Sequence, residues 1–211
     1  MDEMTSGYKP LIEEVCGFDW DSLDQSQLSA VAWAYYYFSV QFRENLEIAF
    51  RLHPDDEQLR SLVREECNTA NLSPWPGVAA PNEKLNHDLF MKRVLSLSPI
   101  DPRVQSTIEA AGCHYLTKTR QVADETRAMS ISSYEDGGLE SVFRAILRAK
   151  NWDTPLLRGF RHFLVKHIDF DSDPSQGHGA LVRHILPDDR IRCLWVEFRD
   201  LLITSIPRLV A

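Results

Sequence analysis

Apolar residues recur at helical spacing along almost the whole chain, and no hairpin signal of the Asn-Gly type appears. A chain patterned in this way has to build its core from helices packed on helices. After an irregular start, Gln25 to Phe50 reads as a long helix, apolar on most sides and therefore central. His53-Pro54 breaks it, and Pro54 suits the first turn of a second helix running to about Thr69. Asn71 to Asn86, with Pro74, Pro76, Gly77 and Pro81, is the one long loop, a length that often marks a lid or a binding loop. Helices are expected at about 87–97, 102–128, 131–150 and 155–171, the last opened by Thr154 as N-cap and Pro155 in the first turn. Asp173 to Gly177 interrupts, and helices resume from about Gly179 and from Asp188 to near Ile206. With no repeat, low-complexity tract or linker in 211 residues, the expectation is one all-α domain over 1–211, of about seven or eight helices.

Composition narrows the function classes. Hydrophobic content of 44% with 26% charged residues is ordinary globular composition. The net charge is −8 and there is no Lys/Arg block, so a nucleic-acid role has little electrostatic support. Met1-Asp2-Glu3-Met4 is acidic and lacks an apolar stretch of the secretory kind. The most apolar run, Ala30 to Val40, is far short of the ~20 residues a span needs and is full of tyrosines, so no membrane segment is expected. Cys16, Cys67, Cys113 and Cys193 are widely spaced and form no C-x-x-C. They fit reduced thiols in a cytoplasmic protein better than a disulfide frame or a thiolate zinc site.

Against this pattern, polar residues stand where apolar ones belong. In the 155–171 helix the core stripe Leu156, Phe160, Phe163, Leu164 continues into His167 and Asp171, one turn apart. Burying such groups is costly unless they are satisfied, by a mutual hydrogen bond or by a metal ion. The second helix ends Leu62-Val63-Arg64-Glu65-Glu66-Cys67, and Leu62 points to Glu65 at i+3 and to Glu66 at i+4. His87 opens a helix with Leu89 and Phe90 behind it, and Glu135 lies on a stripe with Ile131, Val142 and Ile146. His178 follows the Asp173 to Gly177 break. Each has a plain reading of its own: a solvated helix end, a cap, an arginine pair, a His–Asp hydrogen bond. Jointly they offer three carboxylates (Glu65 or Glu66, Glu135, Asp171) and three imidazoles (His87, His167, His178). Such a set suits two iron or manganese ions with open positions for dioxygen, whereas a single catalytic zinc needs only half of it.

The chain contains no Glu-x-x-His, so it lacks the ferritin-like ligand pattern. It resembles instead the haem-oxygenase-like non-haem di-iron oxidases. Leu23-Asp24-Gln25-Ser26-Gln27-Leu28 leading to Ala34-Tyr35-Tyr36-Tyr37 is similar to that family's first long helix. Leu62-Val63-Arg64-Glu65-Glu66 and then Asn86-His87-Asp88-Leu89-Phe90 resemble its Glu-Glu…Asn-His-x-Asp-Leu-aromatic signature. Ser133-Tyr134-Glu135 and His167-Ile168-Asp169-Phe170-Asp171 resemble two further ligand segments. The resemblance implies metal ligands at Glu65 rather than Glu66, and at His87, Glu135, His167, Asp171 and a final histidine. In the family that histidine follows about one helical turn after the aspartate. Here Pro174 and Gly177 intervene, so His178 has to return by a bulge or loop, with His184 and Asp173 as rivals. The interval from Glu65 to His87 is also longer than the family pattern. Gly137-Gly138, just past Glu135, weakens its helix by about 1 kcal/mol per glycine and lets it deform.

What the resemblance implies is an enzyme holding two iron ions, or one manganese and one iron, that uses dioxygen to oxidise a small-molecule substrate, amino-acid-like or another metabolite. A homodimer is a further possibility. Trp33, Tyr35, Tyr36 and Tyr37 then line the substrate pocket or serve as ordinary core packing. The competing class is a metal-free protein of the same fold that binds a small molecule, or a thiaminase-like enzyme using a cysteine. Cys67 and Cys113 have no neighbours that activate a thiolate.

Overall fold

The computed structural model describes residues 7–66, 72–171 and 177–210, leaving the side chains at 170 and 171 outside the description. Its helices are α1 (Lys9–Cys16), α2 (Gln25–Leu52), α3 (Glu57–Glu66), α4 (His87–Leu95), α5 (Pro102–Arg120), α6 (Asp124–Ser133), α7 (Leu139–Ile146), α8 (Pro155–Asp171), α9 (His178–Val182) and α10 (Arg192–Ser205). A π-helical turn, Tyr134–Gly138, joins α6 to α7. Among the described residues there is no strand, only an isolated bridge between Trp75 and Ala79. The fold is thus the expected all-α, single-domain bundle. Among the described residues, no helix is long and apolar enough to cross a membrane.

Local chemistry explains four of the helix starts. At α2, Gln27 N donates to Asp24 Oδ1 (2.8 Å) and Asp24 N donates to Gln27 Oε1 (3.0 Å), a reciprocal cap. Asp101 caps α5 through Arg103 N at 2.7 Å, ahead of Pro102. Thr154 Oγ1 accepts from Leu157 N at 3.2 Å, and α8 runs over the expected span. Asp56, not Pro54, opens α3, accepting from Leu59 N at 3.0 Å.

α2 is the central rod, packed against α3, α4, α5, α6, α8 and α10. Phe38, buried on it, lies 4.5 Å from the ring of Phe198 on α10 and 5.1 Å from that of Tyr134. A buried polar tie fixes α6 on α2: Arg127 Nε donates to Asn45 Oδ1 (2.8 Å) and Asn45 Nδ2 donates to Ser130 Oγ (3.0 Å). That tie lies one to two turns before Glu135 and so sets where the π turn begins.

Three elements differ from the sequence expectation. α1 forms within the stretch expected to be irregular, burying Leu11 and Val15 against α7 and α10. The expected 102–128 helix breaks at 121–123, where Ala123 is extended (ψ 142°) and no Gly or Pro gives warning. Breaking there lets α5 and α6 each lay a face on α2. The expected 131–150 helix is divided by the π turn, with its first residues belonging to α6; the long loop, for its part, is fastened to its neighbours. Trp75 stacks on His162 of α8 (4.3 Å, 19°), His162 Nε2 lies 2.9 Å from Leu72 O, and Arg93 Nη1 donates to Val78 O and Glu83 Oε1, both at 2.8 Å.

Candidate metal centre

Five buried side chains converge beside α2: Glu66 from α3, His87 from α4, His167 from α8, Glu135 from the π turn and His178 from α9. They form two groups with metal-ligand spacing, Glu66/His87/His167 and Glu66/Glu135/His178, each with its donor atoms within 4.8 Å of one another. Glu66 belongs to both. Its Oε2 is 2.6 Å from His87 Nδ1, and its Oε1 is 2.7 Å from His178 Nδ1. Glu135 Oε2 lies 3.1 Å from the same His178 Nδ1, and His167 Nε2 lies 3.1 Å from His87 Nδ1.

Backbone geometry delivers these groups. His167 Nδ1 sits 2.7 Å from the Phe163 carbonyl, which can only accept, so the proton is on Nδ1 and Nε2 turns its lone pair to the cluster. His87 is the first residue of α4, and its ring stands edge-on to Phe163 at 5.6 Å. Glu135 sits in the π turn, where Asp136 (φ −84°, ψ 56°) and Gly137 (φ 90°) leave helical geometry. The Gly137-Gly138 weak point expected from sequence is therefore a real departure from the α-helix, of the kind frequently found at functional positions. α9 begins at His178 and reaches Glu135 because Gly179 has no side chain. A Cβ there would stand 3.0 Å from Glu135 O and 3.2 Å from Asp136 Oδ1.

Hydrogen bonding alone does not satisfy this cluster. Glu66 Oε2 and His167 Nε2 both face His87 Nδ1, which can carry only one proton. Glu66 Oε1 is buried and, despite its 2.7 Å approach to His178, takes part in no hydrogen bond of acceptable direction. His87 Nε2 is likewise buried with no hydrogen-bond partner among the described residues. Burial pushes the Glu66 carboxyl upward, but the Coulombic pull of the His87 and His178 imidazoles outweighs it and holds the group well below the usual carboxylate range. Glu66 is therefore a carboxylate, with lone pairs to give on both sides. The cavity between these donors is about 10 Å³, walled by Tyr35, Ser39 and Phe42 of α2 and by Phe163 and Leu139. That is room for one water-sized body and not for an organic substrate. Converging imidazole and carboxylate donors around so small a void fit a metal ion, and the cluster can coordinate one or two.

Set beside the sequence expectation, His87, Glu135, His167 and His178 are brought together. Of the glutamate pair it is Glu66 that faces the centre, 4% exposed at its side chain, while Glu65 is 44% exposed with Oε2 3.6 Å from His178 Nε2. The signal for Glu66 was present: Leu59 and Leu62 are buried, and Glu66 follows them at i+7 and i+4, on the same stripe. The side chain of Asp171 and the whole of Asp173 lie outside the described residues. His184 pairs instead with Asp56 at 2.5 Å, an exposed contact apart from the cluster. Cys16, Cys113 and Cys193 are free thiols, none of them among the donors. No protein-family model, curated protein or solved structure matches this chain.

Proposed function

We propose that the protein is a metal-dependent oxidoreductase that holds two iron ions, or one manganese and one iron, and uses dioxygen to oxidise a small-molecule substrate. The observation that carries this reading is the shared carboxylate of Glu66, with one oxygen in each donor group. A carboxylate so placed can bridge two cations. On the His87 side the donors are two imidazoles and one carboxylate, the combination that in non-haem iron oxygenases leaves positions open for dioxygen. The likeness of the Asn86-His87-Asp88-Leu89-Phe90 and Ser133-Tyr134-Glu135 segments to di-iron oxidases supports iron over zinc.

The metal pair would supply the dioxygen chemistry, and the chain's own residues supply geometry and dryness. His87 and His167 would hold one ion with Glu66, and Glu135 and His178 would hold the other. The resemblance adds Asp171, four residues after His167 in the sequence, as a further ligand. The Phe163 carbonyl keeps the His167 tautomer, and the rings of Tyr35 and Phe42 on α2 and of Phe163 on α8 wall the cavity against water. Elemental analysis of protein expressed with added iron tests the reading. About two irons per chain, with oxygen uptake when the anaerobic ferrous protein meets air, is the expected result. Iron no higher than trace, with Glu66, His87, Glu135, His167 and His178 intact, would overturn it and favour the metal-free binding protein. One iron per chain would favour a mononuclear centre, which the small size of the cavity also accommodates.

A further inference from the structure

α2 carries a second set of aromatic side chains that plays no part in the metal centre. Trp33, Tyr36 and Tyr37 recur at i, i+3 and i+4 and share one side of the helix, whereas Tyr35, Ser39 and Phe42 line the cluster cavity. With Leu95 of α4 and Glu109 of α5 they line a surface pocket of about 460 Å³ that shares no residue with that cavity.

Three aromatic rings form one part of the wall, beside Ser96, Ser98, Pro99 and Gln105. Trp33 has its indole Nε1 buried without a hydrogen-bond partner, so what it gives the pocket is ring surface and not a donor. The Tyr36 and Tyr37 rings stand at 68° with centroids 5.3 Å apart, two sides of a corner. Tyr37 is wedged in place, since a Cβ on Gly112 of α5 would lie 2.3 Å from its ring carbons. Gln105 Nε2 donates to Glu109 Oε1 at 2.8 Å and so orients the one carboxylate that lines the pocket. One carboxylate acts on each of the two hydroxyls, Glu109 on Tyr37 and Asp88, paired with Arg43 at 3.0 Å, on Tyr36. Tyr37 is pushed up to about 12 by burial and by Cys113, Glu109 and Tyr36. Tyr36 is raised by burial and by Asp88, with Arg43 opposing. Lys92 also lines the pocket, on an exposed side chain whose ammonium can stay in solvent.

We propose that this pocket binds a small organic cation of the quaternary-ammonium class, with its methyl groups against Trp33, Tyr36 and Tyr37 and its charge opposite Glu109. Aromatic faces attract such a cation through their quadrupoles and do not require a hydrogen bond from it. The site is independent of the metal reading.

The test titrates choline, its neutral carbon isostere 3,3-dimethylbutan-1-ol, and benzoate into the full chain by calorimetry. Choline is expected to bind about tenfold or more tightly than the isostere, and benzoate not to bind. Trp33→Leu and Glu109→Gln should each weaken choline about tenfold while iron content and helical signal stay unchanged. Glu109→Gln keeps the side chain's shape, so it carries the test should Trp33→Leu fail to fold. Equal affinity for choline and the neutral isostere would overturn the proposal. So would tighter binding of benzoate, no choline binding at millimolar concentration, or unchanged choline affinity in Glu109→Gln.

Discussion

The two sides of the metal centre share Glu66 and differ in almost everything else. On one side His87 and His167 project from regular helices, and a main-chain carbonyl locks the tautomer of His167. On the other, Glu135 rides on a turn with a residue at φ 90°, and His178 opens a helix of only five residues. A donor on a packed helix is ordered before any ion arrives. A donor on a short segment loses conformational entropy on ordering, on the order of 1–2 kcal/mol per fixed backbone residue. On the two-ion reading proposed above, the first side would thus hold an ion tightly, and the second would take one up with some rearrangement.

The most severe break in this comparison is Glu66→Ala, which removes a ligand from both sides. Bound iron should fall to trace by elemental analysis, with helical content largely kept because the fold rests on apolar packing. Two irons retained in that variant would refute the shared carboxylate. Next, His178→Ala should leave one tight iron and lose the second, whereas His167→Ala should release the tighter one. Equal loss in the two variants would erase the asymmetry.

Gly179→Ala probes the second side without touching a ligand. Its new Cβ meets Glu135 O at 3.0 Å, so α9 must shift. The second iron should bind about ten- to a hundredfold more weakly, as for other changes just outside a ligand shell, and the first should be unaffected. Gly137→Ala forces a side chain into left-handed backbone at φ 90° and should destabilise the fold by about 1–2 kcal/mol, read as a lowered Tm. The smallest effect is expected at Glu65→Ala, whose carboxylate is largely solvated. Loss of iron there, with Glu66→Ala harmless, would restore the assignment that the family resemblance favoured.

The existence of most helices, and the starts that carry a cap, belong to the sequence alone. The Asp24–Gln27 reciprocal cap, Thr154 with Pro155, and the apolar stripe of α8 act within a few residues, so a local reading finds them. The donor types were legible for the same reason, since His167 interrupts a stripe of Leu and Phe that any α-helix would bury. The break at 121–123, with no Gly or Pro to announce it, and the packing of α1 on α7 and α10 depend on partners distant in the chain. Choosing Glu66 over Glu65 means choosing between two directions about 100° apart around one helix, and that rests on which face α3 buries. Above all, the convergence of His178 on Glu66 and Glu135 was decided by tertiary structure. It needs α9 to abut the π turn at Gly179, a contact between segments more than forty residues apart. Local interactions choose the conformation of each segment, but only packing brings donors from separate helices to within a few ångströms.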